Sequence, residues 1–353
     1  MGSETVINVQ WQSIEVASPS LSEPVTVIAA RGIPYVSNAN RFQTFNLYLP
    51  KTPESETLVG TLATSFPGAK ADAAPQYLVH IHGGAWRDPL LTAGSIEPTV
   101  ACAFSTPDSS CKIQAVASIN YTISEFPSHP TFPYNPVKDH HSDAAREAVH
   151  PQHVSDVLHA LLLLRSFGLT ERSYILSGHS CGACLAFQAI LQPPSYYGLN
   201  DVVDAPCPVA ILGLNGLYDL PALVDGLGPS HEHLRGDYET LLSNAFGLDK
   251  NKWATASPAR FNPAAVAKRM REGKAPQLIL LDQSAEDQLV PFNQLEMFEA
   301  DLRKSEGLSV IRGDRCSGKH AVPWEQGVMV WESVQDTLIH LRKKSSLSQS
   351  GSV

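Results

Sequence analysis

No apolar run in this 353-residue chain approaches the ~18 residues needed to cross a bilayer, so no transmembrane span is expected. No block of Lys or Arg and no basic–aromatic interleaving is present. With a net charge of −9 from 26 basic and 35 acidic residues, nucleic acid is not an expected partner. The acidic excess serves solubility and gives no long-range pull on an anionic substrate, so any such recognition must be local. The six cysteines, Cys102, Cys111, Cys181, Cys184, Cys207 and Cys316, show no paired zinc spacing. Cys181-Gly182-Ala183-Cys184 matches C-x-x-C, but it opens a helix after a sharp turn that a disulfide would strain. Both are expected as small buried thiols. Cys102 and Cys111 would bridge only in an oxidising compartment. Met1-Gly2-Ser3-Glu4-Thr5-Val6 has no signal-peptide core, and Val6 stands where myristoylation wants Ser or Thr. A cytoplasmic enzyme with no metal and no cofactor is the expectation, acting on a small molecule. A homodimer is allowed; a membrane partner is not expected.

What is present is concentrated in two motifs. Gly178-His179-Ser180-Cys181-Gly182 reads G-x-S-x-G between the strand-like Tyr174–Ser177 and the helix-like Ala183–Leu191. Strand, sharp turn and helix is the setting of a nucleophile elbow, with Ser180 at its tip. The flanking glycines let backbone pass close without a Cβ, and the helix aims its first N–H groups where an oxyanion would form. About 100 residues earlier, strand-like Tyr77–Ile81 runs into His82-Gly83-Gly84-Ala85-Trp86. This resembles the H-G-G-x oxyanion loop of esterases and lipases of the α/β-hydrolase fold. Gly83 and Gly84 would expose backbone N–H groups, and the N–H of Cys181 would complete the hole. Each such donor is worth about 3 kcal/mol in the transition state.

Strands alternate with helices along the rest of the chain. Strands are expected at 42–50, 77–81, 113–119, 174–177, 208–213, 277–282 and 308–312. Helices are expected over part of 93–104 and at 154–167, 183–191, 238–246, 293–305 and 329–342. The pattern means an α/β fold, one domain over 1–353, with a mostly parallel sheet and helices on both faces. Residues 51–75 read as a surface loop and 221–265 as a small lid over the pocket. Residues 343–353 read as a disordered tail. Residues 122–150 hold His129, His140, His141 and His150 at spacings of no common zinc pattern, and read as a solvated loop.

A serine nucleophile needs a histidine base held by a carboxylate, in the order Ser, acid, His. Asp282, Glu286 and Asp287 follow the 277–282 strand. Asp287, just before Leu289-Val290-Pro291, has the usual place of the acid in this fold. After the last strand, Gly318-Lys319-His320 supplies the histidine; His340 falls inside the closing helix.

Beyond these motifs, the chain resembles fungal kynurenine formamidases (arylformamidases). The resemblance is carried by His82-Gly83-Gly84-Ala85-Trp86-Arg87-Asp88-Pro89, Gly178–Ala183, Gly216-Leu217-Tyr218-Asp219-Leu220 and Gly318-Lys319-His320, and runs from about Phe42 to about His340. The Trp-x-Asp-Pro extension is its most specific part. It implies hydrolysis of N-formyl-L-kynurenine to L-kynurenine and formate in tryptophan catabolism, through a formyl-enzyme on Ser180. It also implies Trp86 and Tyr218 at the substrate pocket. Core packing under the loop is an equal reading of Trp86. Segments 51–75, 101–111 and 122–150 are insertions relative to the smaller fungal enzymes. The same residues would serve a general carboxylesterase for short acyl esters, in secondary metabolism. A non-catalytic ligand-binding hydrolase would lack the serine, acid or histidine, and all three are here.

Overall fold

The computed structural model describes residues 7–64, 77–105 and 113–350. Cys111, residues 65–75 of the first expected insertion and 106–111 of the second lie outside these. The strands are β1 (Gln12–Val16), β2 (Val25–Pro34), β3 (Thr44–Pro50), β4 (Tyr77–Ile81), β5 (Ala115–Ile119), β6 (Tyr174–His179), β7 (Ala210–Leu214), β8 (Leu278–Asp282) and β9 (Ser309–Arg312). They form one nine-stranded sheet in the order β1-β2-β3-β5-β4-β6-β7-β8-β9. β1, β2 and β3 pair antiparallel and β3 meets β5 antiparallel; every pairing from β5 to β9 is parallel.

The helices are α1 (Pro53–Glu56), α2 (Glu97–Ser105), α3 (Gln152–Leu164), α4 (Cys181–Leu191), α5 (Ala222–Asp225), α6 (Arg235–Phe246), α7 (Lys250–Ala256), α8 (Pro263–Arg271), α9 (Asn293–Leu302), α10 (Val322–Gln326) and α11 (Val328–Ser350). The central strands read as continuous apolar runs because both faces are covered. Alternate residues go to opposite sides. Tyr77, Val79 and Ile81 of β4 join the core with α3, α4 and α9, while Leu78 joins the core with α2 and α11. α4 is buried along its whole length, which is why it is apolar on every face.

Two expectations need correction. The closing helix continues to Ser350, through residues expected to be a disordered tail. From Leu341 onward no Gly or Pro interrupts it before Gly351, and adding residues to an existing helix is far easier than nucleating one. The 51–75 segment, expected as a surface loop, holds the short helix α1 at Pro53–Glu56. Thr52 accepts from the Ser55 N–H and Ser55 answers it, a capping box that starts α1.

The sheet places chemistry-bearing loops at the carboxyl ends of its parallel strands, where open α/β sheets bind ligands. β4 leads into His82–Trp86, β6 into Ser180, β8 into the Asp282–Asp287 loop and β9 into the loop of His320.

Candidate active site

β6 ends at His179 and α4 begins at Cys181, so Ser180 alone makes the reversal, at φ 57 and ψ −125. A non-glycine residue there costs about 1–3 kcal/mol and must be held by its surroundings. Its N–H donates to the Leu214 carbonyl at 2.9 Å, and its carbonyl accepts from Ala183 and Leu217 at 3.1 and 3.3 Å. The motif glycines follow from close approach. A Cβ on Gly178 would lie 2.3 Å from the Gly182 carbonyl oxygen, and one on Gly182 would lie 2.2 Å from that of Ile81.

The His82–Trp86 loop lies against this turn. A Cβ on Gly83 would be 3.2 Å from the Ser180 Cβ. Gly84, Ala85 and Trp86 all take positive φ (103, 50 and 59), and the Gly84 carbonyl accepts from the Arg87 and Asp88 N–H groups at 2.9 Å. The Trp86 N–H donates to Cys181 Sγ at 3.3 Å. The buried Tyr121 hydroxyl reaches the His82 and Gly83 carbonyls at 3.1 and 3.0 Å and Cys181 Sγ at 3.3 Å. Cys181 thus ties loop to elbow through its side chain, a role separate from its N–H. Burial pushes its thiol up to about 11 and raises Cys184 as well, and both are unbridged. These are poor redox cysteines.

Among the acid candidates, Asp287 lies beside the histidine. His320 Nδ1 is 2.7 Å from Asp287 Oδ2, with both side chains almost wholly buried. Asp287 Oδ1 accepts from the Leu289 and Val290 N–H groups, each at 2.9 Å, so the Leu-Val-Pro turn orients the carboxylate. Glu286 is exposed. Asp282 instead holds the loop that leads to the histidine. It accepts from the Arg315 N–H at 2.9 Å, the Cys316 N–H at 3.2 Å and the Ser333 hydroxyl at 3.1 Å.

Other residues position these groups and carry no sequence signal of their own. His179 Nε2 donates to the His320 carbonyl at 2.9 Å, and Asn215 Nδ2 donates to the same oxygen at 3.2 Å. Gln288 Oε1 accepts from the His320 N–H at 2.9 Å. Asn215 Oδ1 also accepts from the Ser284 N–H at 2.9 Å, linking the acid and histidine loops. From the 221–265 segment, His231 Nε2 donates to the Asp287 carbonyl at 3.1 Å, and the Tyr238 hydroxyl donates to the Leu289 carbonyl.

Tyr218 and the 122–150 segment depart from expectation, and Trp86 takes the second of its two readings. Trp86 is fully buried, edge-on to Phe246 with centroids 5.0 Å apart. Tyr218 is stacked on Phe298 at 4.5 Å, with its hydroxyl in the space left by the absent Cβ of Gly213. Both rings are core, not open pocket wall, because large aromatics beside a site gain most from full burial. The 122–150 segment is also less solvated than expected. His140 and His141 are exposed, but His129 is buried, its Nδ1 accepting from the Thr131 and Phe132 N–H groups at 3.1 and 2.8 Å. His150 packs on Phe246 with centroids 5.2 Å apart.

Four buried histidines around the site stay neutral. Burial lowers His80 to about 3, His82 to about 4 and His153 to about 3, and holds His179 well below the usual value. In the unfolded chain each titrates near ~6.5. Below that value the unfolded state takes up protons that the folded state refuses, so stability falls with pH. The loss approaches about 1.4 kcal/mol per histidine per pH unit. Above about 6.5 neither state is protonated and the effect vanishes. The unfolding midpoint should therefore be flat from about pH 8 to 7 and fall progressively below about 6.5, until about pH 4, where the folded-state histidines begin to take up protons. Thermal melts across this range check it; an unchanged midpoint down to about pH 5 would contradict neutral burial.

No helix among the described residues is long and apolar enough to cross a membrane. No protein-family model matches the chain. It is 34% identical over 237 residues to the kynurenine formamidase-like hydrolase fscH of Fusarium equiseti, covering 65% of this chain and 68% of that protein. It is 31% identical over 266 residues to kynurenine formamidase avaC of Aspergillus versicolor, covering 72% and 86%. Among solved structures, a truncated carbohydrate esterase from gut microbiota aligns with a TM-score of 0.57 at 16% identity, over 94% of this chain and 100% of that one. Esterase B of Lactobacillus rhamnosus aligns with a TM-score of 0.57 at 16% identity, over 99% and 89%. At such identity the structural likeness speaks for the fold alone, and the fold is the α/β-hydrolase fold. The level and extent of identity to the two fungal proteins go further: the chain belongs to the kynurenine formamidase family of hydrolases.

Proposed function

We propose that this hydrolase deformylates N-formyl-L-kynurenine to L-kynurenine and formate, in tryptophan catabolism, by a serine mechanism. The observation that carries it is the short Asp287–His320 contact at 2.7 Å, on loops that flank the strained Ser180 turn, in a chain of this family. Asp287 accepts the Nδ1 proton and leaves His320 Nε2 as the base. Ser180 Oγ gives its proton to Nε2 and attacks the formyl carbon. The oxyanion is received by the N–H of Cys181 and by those of the Gly83-Gly84 loop. Nε2 returns the proton to the arylamine nitrogen as the C–N bond breaks, releasing L-kynurenine and leaving a formyl ester on Ser180. Water, deprotonated by the same nitrogen, then attacks that ester and releases formate.

Incubation with N-formyl-L-kynurenine should release L-kynurenine and formate in equal amounts. No deformylation alongside turnover of p-nitrophenyl acetate would replace this reading with a general carboxylesterase.

A further inference from the structure

Arg87 follows the oxyanion loop directly, yet two of its three guanidinium nitrogens go unmet by the fold. It is only 7% exposed, and neither Nε nor Nη1 has a hydrogen-bond partner. Its guanidinium carbon lies 3.9 Å from the centroid of the Phe126 ring, so the plane of the fork is held by an aromatic face. A buried guanidinium with unmet N–H groups is costly, and such groups persist where a ligand meets them. Arg87 follows the oxyanion loop, its backbone N–H donating to the Gly84 carbonyl at 2.9 Å, and its guanidinium lies over Phe126 of the 122–150 segment. The carboxylates acting on its charge are Asp237, in the first turn of α6, and Asp88. That end of α6 is joined to the acid loop, because Tyr238 donates to the Leu289 carbonyl two residues beyond Asp287.

We propose that Arg87 is the binding residue for the α-carboxylate of an aryl amino-acid substrate, received by its Nε and Nη1 N–H groups, which have no partner in the fold. The assignment rests on the formamidase reading for the identity of the substrate. It supplies the local anion recognition that a chain of net charge −9 requires. Planar, charge-assisted pairing of guanidinium with carboxylate is the geometry Arg provides and Lys does not. The chemistry at Ser180 is independent of it, so loss of Arg87 acts on binding.

The test compares wild type, Arg87→Met and Arg87→Lys on N-formyl-L-kynurenine and on 2′-formamidoacetophenone, which keeps the formanilide and lacks the amino-acid head. Arg87→Met should raise KM for N-formyl-L-kynurenine about 10- to 100-fold, with kcat changed less than about threefold. It should leave the truncated substrate unchanged. Arg87→Lys should recover part of the loss, and it carries the same comparison if Arg87→Met is not obtained folded. Equal losses on both substrates would make Arg87 a packing residue, and unchanged KM on both would remove it from the site; either overturns the proposal while the formamidase reading stands. If wild type deformylates neither compound, that reading fails, and calorimetric binding of L-kynurenine decides the subsite alone. Binding that needs Arg87 keeps it; equal binding or none overturns it.

Discussion

Ser180→Ala should lower kcat on N-formyl-L-kynurenine by about 10⁴-fold or more, with the unfolding midpoint nearly unchanged. The substitution removes one oxygen and keeps the Cβ, so the turn at φ 57 is no more strained than before, and its hold through the Leu214, Ala183 and Leu217 backbone groups persists. What is lost is the atom that bonds to the formyl carbon. Without it the remaining groups offer only oxyanion stabilisation and binding. The check is single-turnover and steady-state kynurenine release by folded variant and wild type. Retention of a tenth of wild-type kcat would sink the serine route.

Asp287→Asn should be nearly as damaging, about 10⁴-fold in kcat, while Asp282→Asn should keep most of its kcat. The two aspartates sit five residues apart, and each is buried and hydrogen-bonded, so burial does not separate them. Their partners do. Asp287 touches the imidazole at 2.7 Å, and an amide there would present a donor or a weaker acceptor to Nδ1, favouring the wrong tautomer. Asp282 accepts from the Arg315 and Cys316 backbone and from Ser333, so its amide loses an acceptor and costs about 1–3 kcal/mol of stability. Paired kcat and melting measurements read both axes. A crippled Asp282→Asn beside an active Asp287→Asn would reverse the assignment.

The parts of the fold legible in the sequence are those where backbone geometry demands a residue type. Ser180 and its glycines showed themselves because α4 passes so close to β6 and β4 that a Cβ at Gly178 or Gly182 would strike carbonyl oxygens. The parallel strands showed as apolar runs because both their faces are covered. β1 and β2 did not, since β1 is short and largely exposed and β2 is broken by a bulge between Ala30 and Ile33, with Gly32 inside it. Trp86 was left open between pocket and core, and Tyr218 was placed at the pocket, because an aromatic residue near a site has the same letter whether it lines the pocket or fills the core beneath it. His179, Asn215 and Gln288 were invisible for another reason. They act on the backbone of His320 from the end of β6 and from the loops after β7 and β8, and only folding brings those segments together.

Whether this hydrolase deformylates an aryl amino acid by preference is read from kcat/KM for N-formyl-L-kynurenine and for p-nitrophenyl acetate on one preparation. A site that hydrogen-bonds the amino-acid head rejects a small aryl acetate far more strongly than an apolar pocket would. N-formyl-L-kynurenine should be preferred by at least about tenfold. Equal or better efficiency on p-nitrophenyl acetate, with no detectable deformylation, would contradict it.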